Sequence, residues 1–493
     1  MENMRFVRTV SLLLALLMLS FSLSACGESY KEAFIYVEMN SKPMTLDPQL
    51  ADSPEELTVA RSLFDTLLRY DEKGNIVPSA AESFEKSGKE YTFSLRRDAV
   101  WHDGEAVTAH DFVFAFRRAV DPKTSAPYAN MLSAVENAQA ILEGTASPKE
   151  LGVIAADDFT LKITLDRDDP EFQKVLTSAI TMPCNEKFFE DCMGKYGLTV
   201  DTTPSNGSYY VRKWTTEGKF LIRLAKNLEY NGKFEANSMR IYFTCSEKNP
   251  VEMLSLENTD LAYLSDEEYS DAKEAGFETI RKQNIFYGLF LNPELDPEIR
   301  SALLSAVKAD SFTDELGPTH MPADTLYPDI LGVSDAKTVK SYITYNPEAA
   351  SAVYSQKVKD GFELGNITIK HPNNAVCNSI AKELAGHWQQ TMSCFINIEE
   401  LSSYEVSSAF AYGGFDIMIA PIKSAPNTVS AYNAELGFDA RDTVSVSDEL
   451  FGNHLCYPLF FSTTNITAGK QVENLEACIQ NGILDVALLI KKP

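Results

Sequence analysis

Three residue types in this chain invite a chemical reading: six histidines, eight cysteines and an excess of acids. The histidines are His102, His110, His320, His371, His387 and His454. Only His102 and His110 are close in sequence, and no metal-ligand spacing surrounds them, so a satisfied or exposed ring is the plainer reading than a ligand or general base. The cysteines form no Cys-x-x-Cys pair. Besides Cys26 they are Cys184, Cys192, Cys245, Cys377, Cys394, Cys456 and Cys478. That odd remainder leaves at least one thiol free or paired between chains. Buried free thiols are the plain reading for most. No Gly-x-Ser-x-Gly elbow, His-Glu-x-x-His pair or phosphate-cradling Gly-Lys loop occurs. With 70 Asp and Glu, paired carboxylates are uninformative. The residues support no catalytic centre, no metal site and no cofactor, and the expectation is a protein that is not an enzyme.

The N-terminus carries a different chemistry. Arg5 and Arg8 precede an apolar run from Val10 to Leu23, which ends at Leu23-Ser-Ala-Cys26. A basic start, an apolar middle and small residues before a cut make a secretion signal over 1–25. The run is short for a spanning helix, which needs about 20 apolar residues. The Leu-Ser-Ala-Cys ending resembles a bacterial lipobox, which implies that Cys26 is acylated and becomes the mature N-terminus. The competing reading is an uncleaved anchor helix with a chance cysteine. Both put the remainder outside the cytoplasmic membrane, on its extracellular side or in a periplasm.

The elements that follow alternate. Phe34–Val37, Tyr91–Leu95 and Thr160–Leu165 read as strands. Thr108-Ala-His-Asp111 is a capping box ahead of Phe112, Phe116 and Ala119 on one helical face. Asn346-Pro347 starts a helix. Val376, Ile380, Leu384 and Trp388 recur every four residues on another. The pattern is that of an α/β chain, and 493 residues allow about two to four domains. A net charge of -26, one unit more negative without the leader, argues against nucleic acid and against adsorption to anionic lipid.

An ordered series of segments resembles the family 5 extracellular solute-binding proteins of ABC importers. It opens with Thr45-Leu-Asp-Pro48 and continues through Leu63–Asp71, Pro78–Phe84 and Tyr91–Asp98. Trp101-His-Asp-Gly-Glu-Ala-Val-Thr-Ala-His-Asp-Phe-Val113 is the most specific part. Asp121–Ala129 and Leu151–Val153 with Asp157-Asp158 are similar to the oligopeptide-binding branch. Asn206–Tyr210, Trp214, Lys226-Asn227, Tyr230, Asn292, Arg300 and Ala306 extend the match.

The resemblance implies an α/β, class II periplasmic-binding-protein-like fold, with two lobes around a cleft and a subdomain inserted in the first. The expected division is 26–64, 191–284 and 465–493 for the first lobe, 65–190 for the insert and 285–464 for the second lobe. It implies a monomer that captures a peptide or other small solute, closes on it and is read by ABC permease subunits, without nucleic acid. Ala51-Asp-Ser53 matches a stretch that lines the cleft and pairs with an extended peptide. Tyr128 and Tyr263 match pocket tyrosines, although a buried, hydrogen-bonded core tyrosine is the bland reading of each. Trp101 and Asp111 read as turn packing and a helix cap.

Departures accompany the match. In the oligopeptide branch a Gly-Trp segment is followed by an Asp-Tyr segment whose aspartate holds the peptide amine. Here Phe415–Pro426 stands in its place, the tryptophan is replaced near Ile422, the aspartate is deleted, and Pro421 lacks an N–H for strand pairing. A helical stretch is expected to be largely missing between Asp442 and Pro458, which would reduce the second lobe. The alternatives are therefore a transport-inactive receptor or scaffold on the same fold, or a binder of a sugar, an opine or a metal chelate.

Overall fold

The computed structural model describes residues 34–233, 237–308, 311–312, 316, 320–361, 367–423, 428–438, 442–480 and 483–492. Cys26 and its leader lie outside the described residues. The main sheet has eleven strands: β1 (Phe34–Glu38), β2 (Tyr209–Thr215), β3 (Phe220–Lys226), β4 (Arg240–Cys245), β5 (Leu261–Tyr263), β6 (Thr279–Leu291), β7 (His320–Pro322), β8 (Thr368–Pro372), β9 (Asn397–Leu401), β10 (Ile417–Lys423) and β11 (Cys456–Ala468). Their order is β9-β8-β10-β6-β11-β5-β1-β4-β3-β2, with β7 beside β11. Six helices matter below: α1 (Pro54–Leu63), α2 (Ala109–Val120), α3 (Pro347–Lys359), α4 (Ala375–Met392), α5 (Val429–Glu435) and α6 (Thr443–Gly452).

Two apolar cores lie along this sheet. One gathers Ile35, Val37, Phe64, Phe112, Phe116, Phe243 and Ile466. The other gathers Phe286, Leu303, Ile369, Trp388, Ile419 and Phe461. The long strands β6 and β11 pair antiparallel over nearly their whole length and run from one core into the other. Ile280 packs against the first core and Phe286 lies in the second. On β11, Ile466 belongs to the first and Phe461 to the second. The ladder slips between Gln283 and Ile285, leaving Asn284 as an extra residue at the passage between the two. One mixed sheet running through two cores gives the two-lobed α/β architecture that the resemblance implies.

Sequence cues formed where chemistry required them. Thr108 caps α2 while Asp111 accepts the Thr108 N–H at 2.7 Å, and Phe112, Phe116 and Ala119 are buried. Asn346 and Pro347 begin α3. On α4, Ile380, Leu384 and Trp388 are buried, and the Trp388 indole donates to the Leu303 carbonyl at 2.9 Å. Trp101 is buried edge-on against Phe64.

Asp47 of the Leu-Asp-Pro stretch pairs with the buried Arg118 guanidinium, which also donates to Gln49 at 2.9 Å. Gly197 closes over this stretch at a φ of +72°, where a Cβ would stand 2.4 Å from the Asp47 nitrogen. Glycine is therefore required there on two counts. All seven cysteines among the described residues are free. Burial raises the Cys184 thiol to about 12, which makes it unreactive.

The stretch from Asp442 to Pro458 differs from expectation. It is not emptied of helix: α6 fills ten residues of it, capped by Asp442 through the Ser445 N–H at 2.9 Å. Val446, Leu450 and Phe451 are buried in the second core. The expected loss of helix came from the departure from the family pattern, and three buried apolar side chains interrupted by Ser447 and Asp448 give periodicity little to set against it.

Candidate functional site

The two lobes meet along a polar seam, and the residues of that seam come from well-anchored elements. On the first side, Ser53 caps α1 and accepts from the Glu56 N–H at 3.1 Å. Glu56 reaches back and accepts four backbone N–H groups: Met44 at 2.8 Å, Thr45 at 3.3 Å, Asp52 at 2.9 Å and Ser53 at 3.2 Å. One carboxylate therefore fixes both the 44–45 and the 52–53 turns. Ala51 is fully buried beneath them. Tyr128 donates its hydroxyl to the Asp52 carbonyl at 3.1 Å. Burial, and secondarily the neighbouring Asp52, pushes the Tyr128 phenol well above its ordinary range, so it remains a donor. Beside Tyr128 a small apolar pocket opens between Leu57, Met131, Ile180 and Met182.

The second side consists of the end of β10 and α5. Lys423, the last residue of β10, forms an ion pair with Asp52. Its ammonium also lies 5.9 Å from the centre of the Tyr128 ring, within cation–π range. Glu435 of α5 accepts from the Asn130 amide at 3.3 Å. Burial raises the Glu435 carboxyl to about 7; the Asn130 bond and Lys423 oppose that rise and Asp52 adds to it. Arg167 donates to Ser430 at 3.4 Å, and the Val429 N–H donates to Glu171 at 3.0 Å. Ala431 of the same helix packs into the first core while Tyr432 packs into the second. α5 is thus a bridge between the lobes.

Of the residues singled out by sequence, Asp52 and Tyr128 meet at this seam, and Ala51 and Ser53 set the turn that presents Asp52. Tyr263 does not reach it. It is 2% exposed on β5 and its hydroxyl is 2.6 Å from that of Thr58 on α1, inside the first core. Residues not foreseen are Glu56, Asn130, Glu171, Lys423 and Glu435. For Glu56 a signal existed, since Ser53-Pro-Glu-Glu56 is a capping-box spacing. Lys423 and Asp52 are 371 positions apart, and nothing local marks their meeting.

Pro421 does not break β10. The strand is paired along its whole length by β6, with Pro421 opposite Tyr287. On its other edge β8 pairs only Ile417 and Met418. From Ile419 to Lys423 that edge has no strand beside it among the described residues. Such an open edge is suited to taking an extended segment. Among the described residues no group of three His, Cys, Asp or Glu side chains comes together to hold a metal ion.

The geometry is that of a two-lobed protein with a polar seam between its two cores. The chain belongs to the bacterial extracellular solute-binding proteins, family 5, whose model matches residues 75–441. It is 36% identical over 236 residues to the periplasmic oligopeptide-binding protein OppA of Haemophilus influenzae, a match taking in 46% of this chain and 41% of that protein. It is 35% identical over 198 residues, 39% of this chain and 36% of that one, to the deoxycholate-binding periplasmic protein YgiS of Escherichia coli, a function described for YgiS as probable. These sequence matches therefore span about four-tenths of each relative. The fold agreement is wider. The crystal structure of Haemophilus influenzae OppA in complex with RPPGFSPFR superposes with a TM-score of 0.74 at 23% identity, covering 94% of this chain and 99% of that one.

Proposed function

We propose that this chain is the extracytoplasmic capture subunit of an ABC importer. It takes oligopeptides or a related small solute into the cleft, closes over them and presents the closed form to permease subunits, with ATP hydrolysed elsewhere. The observation that carries this reading is the seam. Asp52, Tyr128 and Asn130 on one lobe meet Lys423 and Glu435 on the other, and the lobes are linked through β6 and β11 with a slipped register at Asn284. We place the hinge there, with 26–64, 191–284 and 465–493 as the first lobe, 65–190 as its insert and 285–464 as the second. A solute bridging both sides favours closure because only the closed form satisfies both sets of contacts.

Asp52, Ser53 and Tyr128 form the contact set on the first lobe, with Ala51 supporting the turn from beneath. Tyr263 acts behind them, holding α1 through Thr58. The protein works as a monomer held at the membrane by lipid on Cys26. Replacing Cys26 with Ser is expected to leave precursor or to move the protein out of the detergent phase; unchanged partitioning and migration would remove the lipid anchor from the account.

Mass spectrometry of whatever co-purifies with the mature protein tests the solute class. Peptides are the expected result. The likeness to YgiS favours one second reading, a non-peptide solute, and a co-purifying sterol acid, sugar, opine or chelate in place of peptides would establish it.

A further inference from the structure

The net charge of the chain speaks against contact with an anionic surface, but one face of the first lobe is an exception to it. On β1 to β4 the inward side chains, Ile35, Val37, Ile222 and Phe243 among them, are buried in the first core. Directly paired residues share a face, so the outward side chains fall into two cross-strand rows. One row is Tyr36, Tyr242, Arg223 and Lys213; the other is Phe34, Arg240, Ala225 and Tyr210. A slip in register between Val211 and Lys213 turns Lys213 onto this face.

Four of the eight are aromatic, three are cations and none is an acid, in a chain with 70 acids against 44 Lys and Arg. Lys213 is exposed and the other seven are partly exposed. The rings are held as a set. Tyr36 stacks on Tyr242 at 4.7 Å between centres, Phe34 meets Tyr242 edge-on at 6.1 Å, and the Arg240 guanidinium lies 5.1 Å from the centre of the Phe34 ring. Acids at the margin are already engaged: Glu38 is buried and accepts the Ser246 N–H at 2.5 Å, and Asp260 pairs with Lys491 at 2.8 Å.

β1 also begins on this face. Phe34 stands eight positions after Cys26, so a chain from an acylated Cys26 holds this end of β1 within about 28 Å of the bilayer. Tyrosine rings favour the headgroup level of a membrane, and each Lys or Arg at an anionic surface strengthens binding roughly fivefold. Acids elsewhere on the molecule repel that surface, but beyond a Debye length of about 8 Å their effect is largely screened. We infer that this aromatic and cationic face docks on the anionic phospholipid headgroups of the membrane to which the protein is tethered. The inference rests on the lipid anchor in the reading above and adds an orientation to it.

The test is sedimentation with vesicles, using the mature chain carrying Cys26→Ser so that no attached lipid contributes. The vesicles are phosphatidylcholine alone or phosphatidylcholine with phosphatidylglycerol. At low salt the protein is expected to bind the anionic vesicles about tenfold or more tightly than the neutral ones, and to be released by added salt. Lys213→Glu should weaken that binding about fivefold or more, and Lys213→Arg should retain it. Lys382→Glu makes the same change of net charge at an exposed position of α4 in the second lobe, and should leave binding nearly unchanged. Equal binding to both kinds of vesicle, no binding to either, or an equal loss in Lys213→Glu and Lys382→Glu overturns the proposal. The anchor stands in each of those cases, because the processing of Cys26 tests it separately.

Discussion

Two sets of charges in this molecule use the same residue types to opposite ends. Inside the first lobe Arg69 holds Asp485 at 2.5 Å and Asp65 at 3.3 Å, Tyr230 donates to Asp65 at 2.5 Å, and Arg61 lies 3.5 Å from Asp485. The Arg69, Asp65 and Asp485 side chains are 2–3% exposed. At the seam Asp52 and Lys423 are an order of magnitude more open. The first set ties Asp65 and Arg69 to Asp485 near the C-terminus. The second joins the two lobes, which separate in the proposed capture mechanism. Burial, more than residue type, decides whether a charge pair is a fixture or a switch: removing one buried partner strands the other without water, whereas an open pair simply rehydrates.

The contrast can be broken from either side. The largest effect belongs to Asp485→Ala, which leaves Arg69 and Arg61 short of an acid. Equilibrium unfolding in urea should show a loss of about 3–5 kcal/mol, the cost of breaking a buried pair. Ser53→Ala removes a helix cap and should cost about 1 kcal/mol by the same measurement. Lys423→Ala should change stability by less than about 1 kcal/mol, as expected of an exposed pair. An effect as large as that of Asp485→Ala would erase the distinction.

Glu435 gives the seam a pH dependence. Its carboxyl is raised to about 7 in this structure, mainly by burial, from the ordinary 4.5. If opening the lobes hydrates this carboxyl, the closed form binds the proton more tightly than the open one. Its contribution favours closure at low pH and weakens as pH rises from the ordinary carboxylate range through about 7. Solution scattering between about pH 6 and pH 8 should show expansion of the native protein at the upper end, and Glu435→Gln should flatten that response. An identical profile for both proteins would remove Glu435 from the switch.

The sequence was most legible where the structure is local. The capping box at Thr108–Asp111, the start at Asn346-Pro347 and the four-residue repeat on α4 all formed as read. Each depends on neighbours within one or two turns. The roles of Trp101 and Asp111 in packing and capping were legible for the same reason. The site was half legible. Asp52 and Tyr128 stand at the seam, but Lys423, Asn130 and Glu435 join it through contacts hundreds of residues apart, which no periodicity encodes. α6 was missed because the departure from the family pattern suggested a loss of helix there, and its serines and acid leave an apolar face too diluted to argue otherwise.

The central claim is that solute draws the lobes together across this seam. Small-angle X-ray scattering on the mature protein, freed of solute by unfolding and refolding and then saturated with the solute identified by mass spectrometry, tests it most directly. The radius of gyration should fall on binding. Calorimetrically proven binding with an unchanged scattering profile would contradict the account.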